Sequence, residues 1–208
     1  MKITKPLDNI LNTEVKTKIL RFLCRTGAEW NGSQIAKEIG ITPAASHSAL
    51  NELTRQGVIL MRNMGNTHVY TLNKDNYVIS DLLKPLYLKE DEVLNKITGI
   101  IKRNLLSSKI RSRILNVSLF GSVNKGQDHP TSDIDLVVIV SDARTKSKAE
   151  KLFEKIDESV SRRFGNIISP YINTKSEFRV KRKKKLEVVK NILKSHTLIY
   201  GKRLESVL

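Results

Sequence analysis

One cysteine in 208 residues, Cys24, leaves nothing for it to pair with inside the chain. A disulfide-stapled scaffold is therefore excluded, and a lone cysteine in an apolar helical stretch reads as core packing. The four histidines, His47, His68, His129 and His196, are scattered and lack the spacing of zinc ligands. No apolar run approaches the ~20 residues that cross a bilayer. The opening MKITKPLDN has no apolar signal core. A cytoplasmic protein with no membrane partner is expected. There is no internal repeat and no low-complexity linker. Acidic residues are also scarce, 21 Asp and Glu against 37 Lys and Arg, for a formal charge of +16.

Hydrophobic residues make up 39%, enough for packed cores, and the length suits one large or two small domains. The charge is uneven. Residues 1–85 carry 11 basic and 7 acidic side chains, whereas residues 86–208 carry 26 and 14. A basic surface attracts polyanions, so nucleic acid leads the partner classes.

Asn12 or Thr13 can cap a helix with Val15, Ile19, Leu20, Phe22 and Leu23 at helical spacing, closed by Gly27. Trp30 is expected to pack across the turn. Ser33 would cap a short helix, and Thr42 with Pro43 would start a third. Val58–Met61 and His68–Leu72 read as strands joined at Asn63-Met64-Gly65-Asn66. This stretch, GSQIAKEIGITPAASHSALNELTRQGVI with its hairpin, resembles a winged helix-turn-helix, and residues 1–75 form the expected domain. The resemblance implies double-stranded DNA as partner and a homodimer, one copy per chain meeting two half-sites. The third helix would offer Thr42, Ala44, Ala45, His47, Ser48 and Asn51 to the major groove, and Arg62 with the hairpin tip would reach phosphate or the minor groove.

Residues 76–106 read as a connector broken at Pro85, followed by a helix from Glu90 to Leu106. Residues 107–208 form the second domain. In it, Leu115, Val117 and Leu119 alternate with polar neighbours as in a half-buried strand. Lys146–Phe164 is an amphipathic helix. Ile167–Ile172 is a strand that Pro170 confines to an edge or an end. Lys181, Arg182, Lys183, Lys184 and Lys185 form a run that suits either solvent or nucleic-acid phosphates.

The stretch SLFGSVNKGQDHPTSDIDLVVIV carries the chemistry. Gly121 permits a sharp turn or a close ligand approach, and Ser122 places a hydroxyl at a helix start that suits phosphate. Asp133 and Asp135, two apart on a strand, face the same way. Close carboxylates repel unless a cation sits between them, and magnesium takes carboxylates while leaving sites for substrate phosphates. Gly121-Ser122, Gly126 and Ser132-Asp133-Ile134-Asp135 resemble the signature of the DNA polymerase beta nucleotidyltransferase superfamily, closest to its small MNT-type branch. The expected fold is α+β: a winged helix-turn-helix, then a small mixed β-sheet packed with helices.

The resemblance implies Mg2+ with a nucleoside triphosphate, ATP first. The phosphates would lie on Gly121 and Ser122 with Ser132 nearby, and the metal on catalytic Asp133 and Asp135. It also implies a third carboxylate on the next strand, but Asn166–Asn173 contains none. Glu177, just beyond, is a candidate substitute, and Asp157 and Glu158 lie on the preceding helix. Two functions stay open. One is a nucleotidyltransferase that moves a nucleoside monophosphate to a hydroxyl of RNA, protein or a small molecule. The other is a winged-helix regulator whose second domain senses nucleotide or acts as a scaffold.

Overall fold

Helix caps set the elements of the first unit. The computed structural model describes residues 2–207. After a short turn, α1 (Leu7–Ile10), comes α2 (Glu14–Thr26), which starts where Thr13 Oγ1 accepts from the Lys16 amide and stops at Gly27, φ 62°. β1 (Trp30–Asn31) leads into α3 (Gly32–Glu38). The cap of α3 is Asn31 rather than Ser33. Asn31 Oδ1 accepts from Gln34 N at 2.8 Å, and Gln34 Oε1 accepts from Asn31 N at 3.1 Å. This reciprocal box satisfies two helix-end donors, which puts Ser33 inside the first turn. Thr42 caps α4 (Pro43–Arg55), with Pro43 first in the helix. β2 (Ile59–Met64) and β3 (Thr67–Leu72) pair antiparallel around Gly65-Asn66, and β1 joins β3, giving the order β1-β3-β2. Trp30 packs edge-on against Phe22 at 5.0 Å, as expected.

The chain divides into Met1–Val93 and Leu94–Leu208, where the sequence alone places the first boundary near residue 75. A π-helical turn, Val78–Leu83, and α5 (Lys84–Asp91) bury Val78, Ile79, Leu83 and Tyr87 in the first core beside Ile19, Leu20 and Leu53. Arg21 forks onto Glu90 with bonds of 2.7 and 2.9 Å, and Arg25 pairs with Asp91, fixing α5 to α2. Pro85 does not break this segment. It sits in the first turn of α5, where a backbone N–H has no intrahelical partner to lose.

The second unit follows with α6 (Val93–Ser107), β4 (Ile114–Leu119), α7 (Gly121–Lys125), β5 (Ile134–Val140) and α8 (Ala143–Phe164). Next come β6 (Ile168–Thr174), α9 (Lys175–Lys183), α10 (Glu187–Lys194), β7 (Thr197–Gly201) and α11 (Leu204–Val207). The sheet order is β6-β5-β4-β7. β5 and β6 run parallel and the other pairs antiparallel, so the sheet is mixed.

Both faces are covered. Ile134, Leu136, Val138 and Val140 meet Ile97 and Leu105 of α6 and Phe153 and Ile156 of α8. Val137 and Ile139 meet Phe178, Val189, Ile192 and Leu204 from the last three helices, α9, α10 and α11. This explains why β5 is apolar at nearly every position.

β4, expected to be half-buried, is also enclosed on both faces. Asn116 and Ser118 are fully buried and hydrogen-bonded: Asn116 Nδ2 donates to Lys202 O at 2.8 Å, and Ser118 Oγ donates to Asn116 Oδ1 at 3.0 Å. Alternation marks a polar face as solvated only when nothing later in the chain covers it. A bulge between Ile114 and Asn116 turns Leu115 toward the second cluster while Val117 and Leu119 stay in the first.

Among the described residues no helix is long and apolar enough to cross a membrane.

Candidate functional site

The motif lies where β4 turns into α7 beside the start of β5. Gly121 has φ 79°, in the left-handed region. A Cβ built on it would overlap Asp135 Oδ2 and come 3.0 Å from Asp135 Cγ. Glycine is thus required twice, by backbone conformation and by the carboxylate against it. Phe120 N donates to Asp135 O at 3.0 Å, locking the turn to β5. Gly126, φ 64°, ends α7. With five residues, α7 is too short for a helix dipole to matter, so any phosphate grip comes from free first-turn N–H groups. Ser122 is half-buried, and its hydroxyl has no hydrogen-bond partner among the described residues. Ser132 Oγ accepts from His129 N at 2.9 Å, so Ser132 fixes the loop between α7 and β5.

Alternation along β5 puts Asp135, Val137 and Ile139 on the face of the second cluster, and Asp133 lies one residue before the strand, near enough for its charge to act on Asp135. Asp133 is exposed and Asp135 half-buried. Burial first, and the nearby charge of Asp133 second, raise the Asp135 pKa above the ordinary carboxylate value. The ionised pair is therefore held at a cost that a cation would relieve. Among the described residues no three His, Cys, Asp or Glu side chains could hold a metal by themselves. Two carboxylates fit a divalent ion that brings further ligands with it, as magnesium on a triphosphate does.

The register of β6 explains the missing acid. Ser169 lies opposite Asp135, so the nearest position on the next strand carries a hydroxyl. Glu177 cannot replace it. It follows Thr174, which pairs with Val140, five residues up the strand from Ser169, or about 16 Å at strand rise. There it closes a capping box on α9, accepting from Thr174 N at 2.8 Å, and bonds Lys146 at 3.0 Å. That backbone hydrogen bond, with Lys146 as the next favourable partner, lowers its pKa. Asp157 belongs to α8, on the other face of the sheet, and accepts from Ile168 N at 2.6 Å. Phe120 and Ser169, which flank Asp135, could not be picked from sequence because only strand register brings them there.

In the first unit Thr42, Ala44, His47, Ser48 and Asn51 are exposed along α4, with Ala45 half-buried at their margin. Ser46, Leu50 and Leu53 face the core. Thr42 Oγ1 is engaged in its cap, and the His47 ring lies against Gly32 of α3. Arg62 is exposed on β2 but forks onto Glu29.

The basic run is not one surface. Lys181 is half-buried, donates to Asn173 Oδ1 at 2.6 Å and lies 4.7 Å over the Tyr171 ring. Lys183 is the last residue of α9, Lys184 its C-cap, and Lys185 adopts φ 53°.

Residues 95–205 match the family model described as Polymerase beta, Nucleotidyltransferase. That span covers more than half of the chain, and the chain belongs to this family. A spectinomycin 9-adenylyltransferase from Enterococcus faecalis is 29% identical over 84 residues, 40% of this chain; the match spans only 31% of that enzyme. Over the N-terminal part, the chain is similar to a homodimeric winged helix-turn-helix DNA-binding domain from Mycobacterium bovis. The identity is 20% and the TM-score 0.36, covering 44% of this chain and 81% of that one. The transcriptional repressor BigR from Xylella fastidiosa is also 20% identical, with a TM-score of 0.35, over 40% and 81%. The winged-helix architecture of residues 1–93 stands on the helix and hairpin topology described above.

Proposed function

We propose that the second unit transfers a nucleoside monophosphate from a magnesium–nucleoside triphosphate, ATP first, to a hydroxyl on an RNA or protein acceptor, slowly or conditionally. The contact of Gly121 with Asp135 carries this reading. Glycine lets the backbone of the turn lie directly against the half-buried Asp135 carboxylate, so the free N–H groups that would meet a phosphate start beside the group that would hold its metal. Asp133 and Asp135 would hold the metal, which supplies charge neutralisation and polarises the phosphoryl group. Ser122 would donate its unpartnered hydroxyl to a phosphate oxygen, and Ser132 keeps the loop in place. No carboxylate on β6 is available to take the acceptor's proton, and loss of a general base costs about 10²–10⁴ in rate.

The first unit would bind double-stranded DNA as a homodimer through the exposed face of α4, and a cytoplasmic site of action goes with both roles. The Ser169 position favours a second reading, in which the nucleotidyltransferase unit of a DNA-binding regulator senses nucleotide without turning it over.

Calorimetry with each nucleotide, with and without magnesium, tests the site. Wild type should bind a nucleoside triphosphate only with magnesium, and Asp135→Asn should lose that dependence. Equal weak binding by both proteins would sink the site. Brisk pyrophosphate release by wild type would remove the sensor reading, and binding without release would support it.

A further inference from the structure

Lys181 leaves the basic run by turning inward, and what remains forms a groove. Its wall is Arg179, Val180, Arg182, Lys183 and Lys185, with no acidic residue among them. Arg182, Lys183 and Lys185 are exposed, and none has an acidic partner among the described residues. Lys185 holds φ 53°, a conformation that costs a side-chain-bearing residue roughly 1 kcal/mol. Val180, which lines the groove, is 51% exposed, and Leu186, next after the basic run in sequence, is 40% exposed. The aliphatic stems of arginine and lysine add apolar surface while their heads reach outward. The clamp on Lys181 joins this turn of α9 to Tyr171 and Asn173. Those two residues share the sheet face of Ser169 and Asp135 by alternation from the β5–β6 register.

We infer that this groove binds a single strand of nucleic acid. Its cations meet the phosphates, and Val180 and the side-chain stems meet sugars or unstacked bases. A duplex keeps its bases stacked and would use only the cations, leaving the exposed Val180 without a role. Cationic grooves that also offer base contacts are the physical equipment for single strands. The inference is separate from nucleotidyl transfer, because neither Asp133 nor Asp135 lines the groove.

Fluorescence anisotropy on the full chain tests it, with a labelled mixed-sequence single-stranded oligonucleotide and the matching duplex as probes. Replacing three cations (Arg182→Gln, Lys183→Gln and Lys185→Gln) should lower the slope of log K against log salt for the single strand. At ~0.7 per contact the expected drop is about 2. Duplex affinity should not change. Val180→Asp, which removes no cation, should weaken the single strand alone. An unchanged slope would overturn the inference, as would equal losses on duplex and single strand. Competition by polyglutamate as effective as that of an oligonucleotide of equal charge would also overturn it and indicate an acidic protein partner. Melting curves of each variant report whether the fold is intact. Asp135→Asn should bind the strand like wild type, so failure of nucleotide binding and failure of the groove are read separately.

Discussion

Gly121 and Asp135 constrain each other, and the constraint has a pH signature. Asp135 is costly to ionise because burial and Asp133 both oppose its charge, so its folded pKa stands above its unfolded one. Between those two values the folded state binds more protons than the unfolded state, and stability falls as pH rises. Asp135→Asn removes the titration. Without metal, the variant should melt at a higher temperature than wild type at neutral pH, and the gap should close below pH ~4, where an unfolded aspartate is protonated. Thermal melts at several pH values check this, and a variant that melted below wild type at neutral pH would mean that the carboxylate is stabilised by a partner. The nearness of the two aspartates in sequence was plain, although β5 itself begins only at Ile134. The burial of Asp135 was not, because Phe120 lies across a strand pair and the covering helices come from residues 175–207.

At the level of elements, β6 shows how an open edge is closed to other chains. Ile134 N donates to Ile167 O, so odd-numbered residues of β6 bond to β5 and even-numbered ones face outward. Of those, Ile168 N is taken by Asp157, Pro170 has no N–H, and Thr174 N is taken by Glu177. Only Ile172 keeps an outward donor to offer. Unpaired edge donors are templates for another strand, and proline and side-chain caps blunt them. Asp157→Ala should cost about 1–3 kcal/mol by orphaning the Ile168 amide. Combined with Pro170→Val, it should give concentration-dependent light scattering at micromolar protein. A double variant as clear as wild type would show that the edge is protected by other means. The edge placement of Pro170 was legible from the residue itself. The roles of Asp157 and Glu177 were not, since carboxylates near a metal motif suggest ligands until register shows which backbone amide each one meets.

The charge of +16 belongs to the whole molecule and suits both nucleic-acid contacts proposed above, which differ in kind. On α4 the exposed groups are hydroxyl, amide and imidazole, with no arginine, and Arg62 is held by Glu29. Duplex binding there should therefore depend on two copies meeting two half-sites more than on charge. Sedimentation of the full chain should show a dimer at micromolar concentration. Ser48→Ala with Asn51→Ala should weaken duplex binding by about 1–3 kcal/mol per lost base contact while leaving magnesium-dependent nucleotide binding intact. A monomer with undiminished duplex affinity would contradict the half-site arrangement.

Local chemistry determined a great deal from the sequence alone. Thr13, Thr42 and Gly27 mark helix ends because caps act within one turn. Gly121 announces a special backbone because only glycine takes φ 79° without strain. Tertiary structure decided what depends on residues far apart in the chain. It moved the first unit's end past α5, since burial of Tyr87 depends on α2. It buried both faces of β4, since α9 to α11 fold back over a strand that precedes them. It set Ser169 rather than Glu177 beside Asp135, because register is set by the backbone pairing of β5 with β6, two segments that no short window contains.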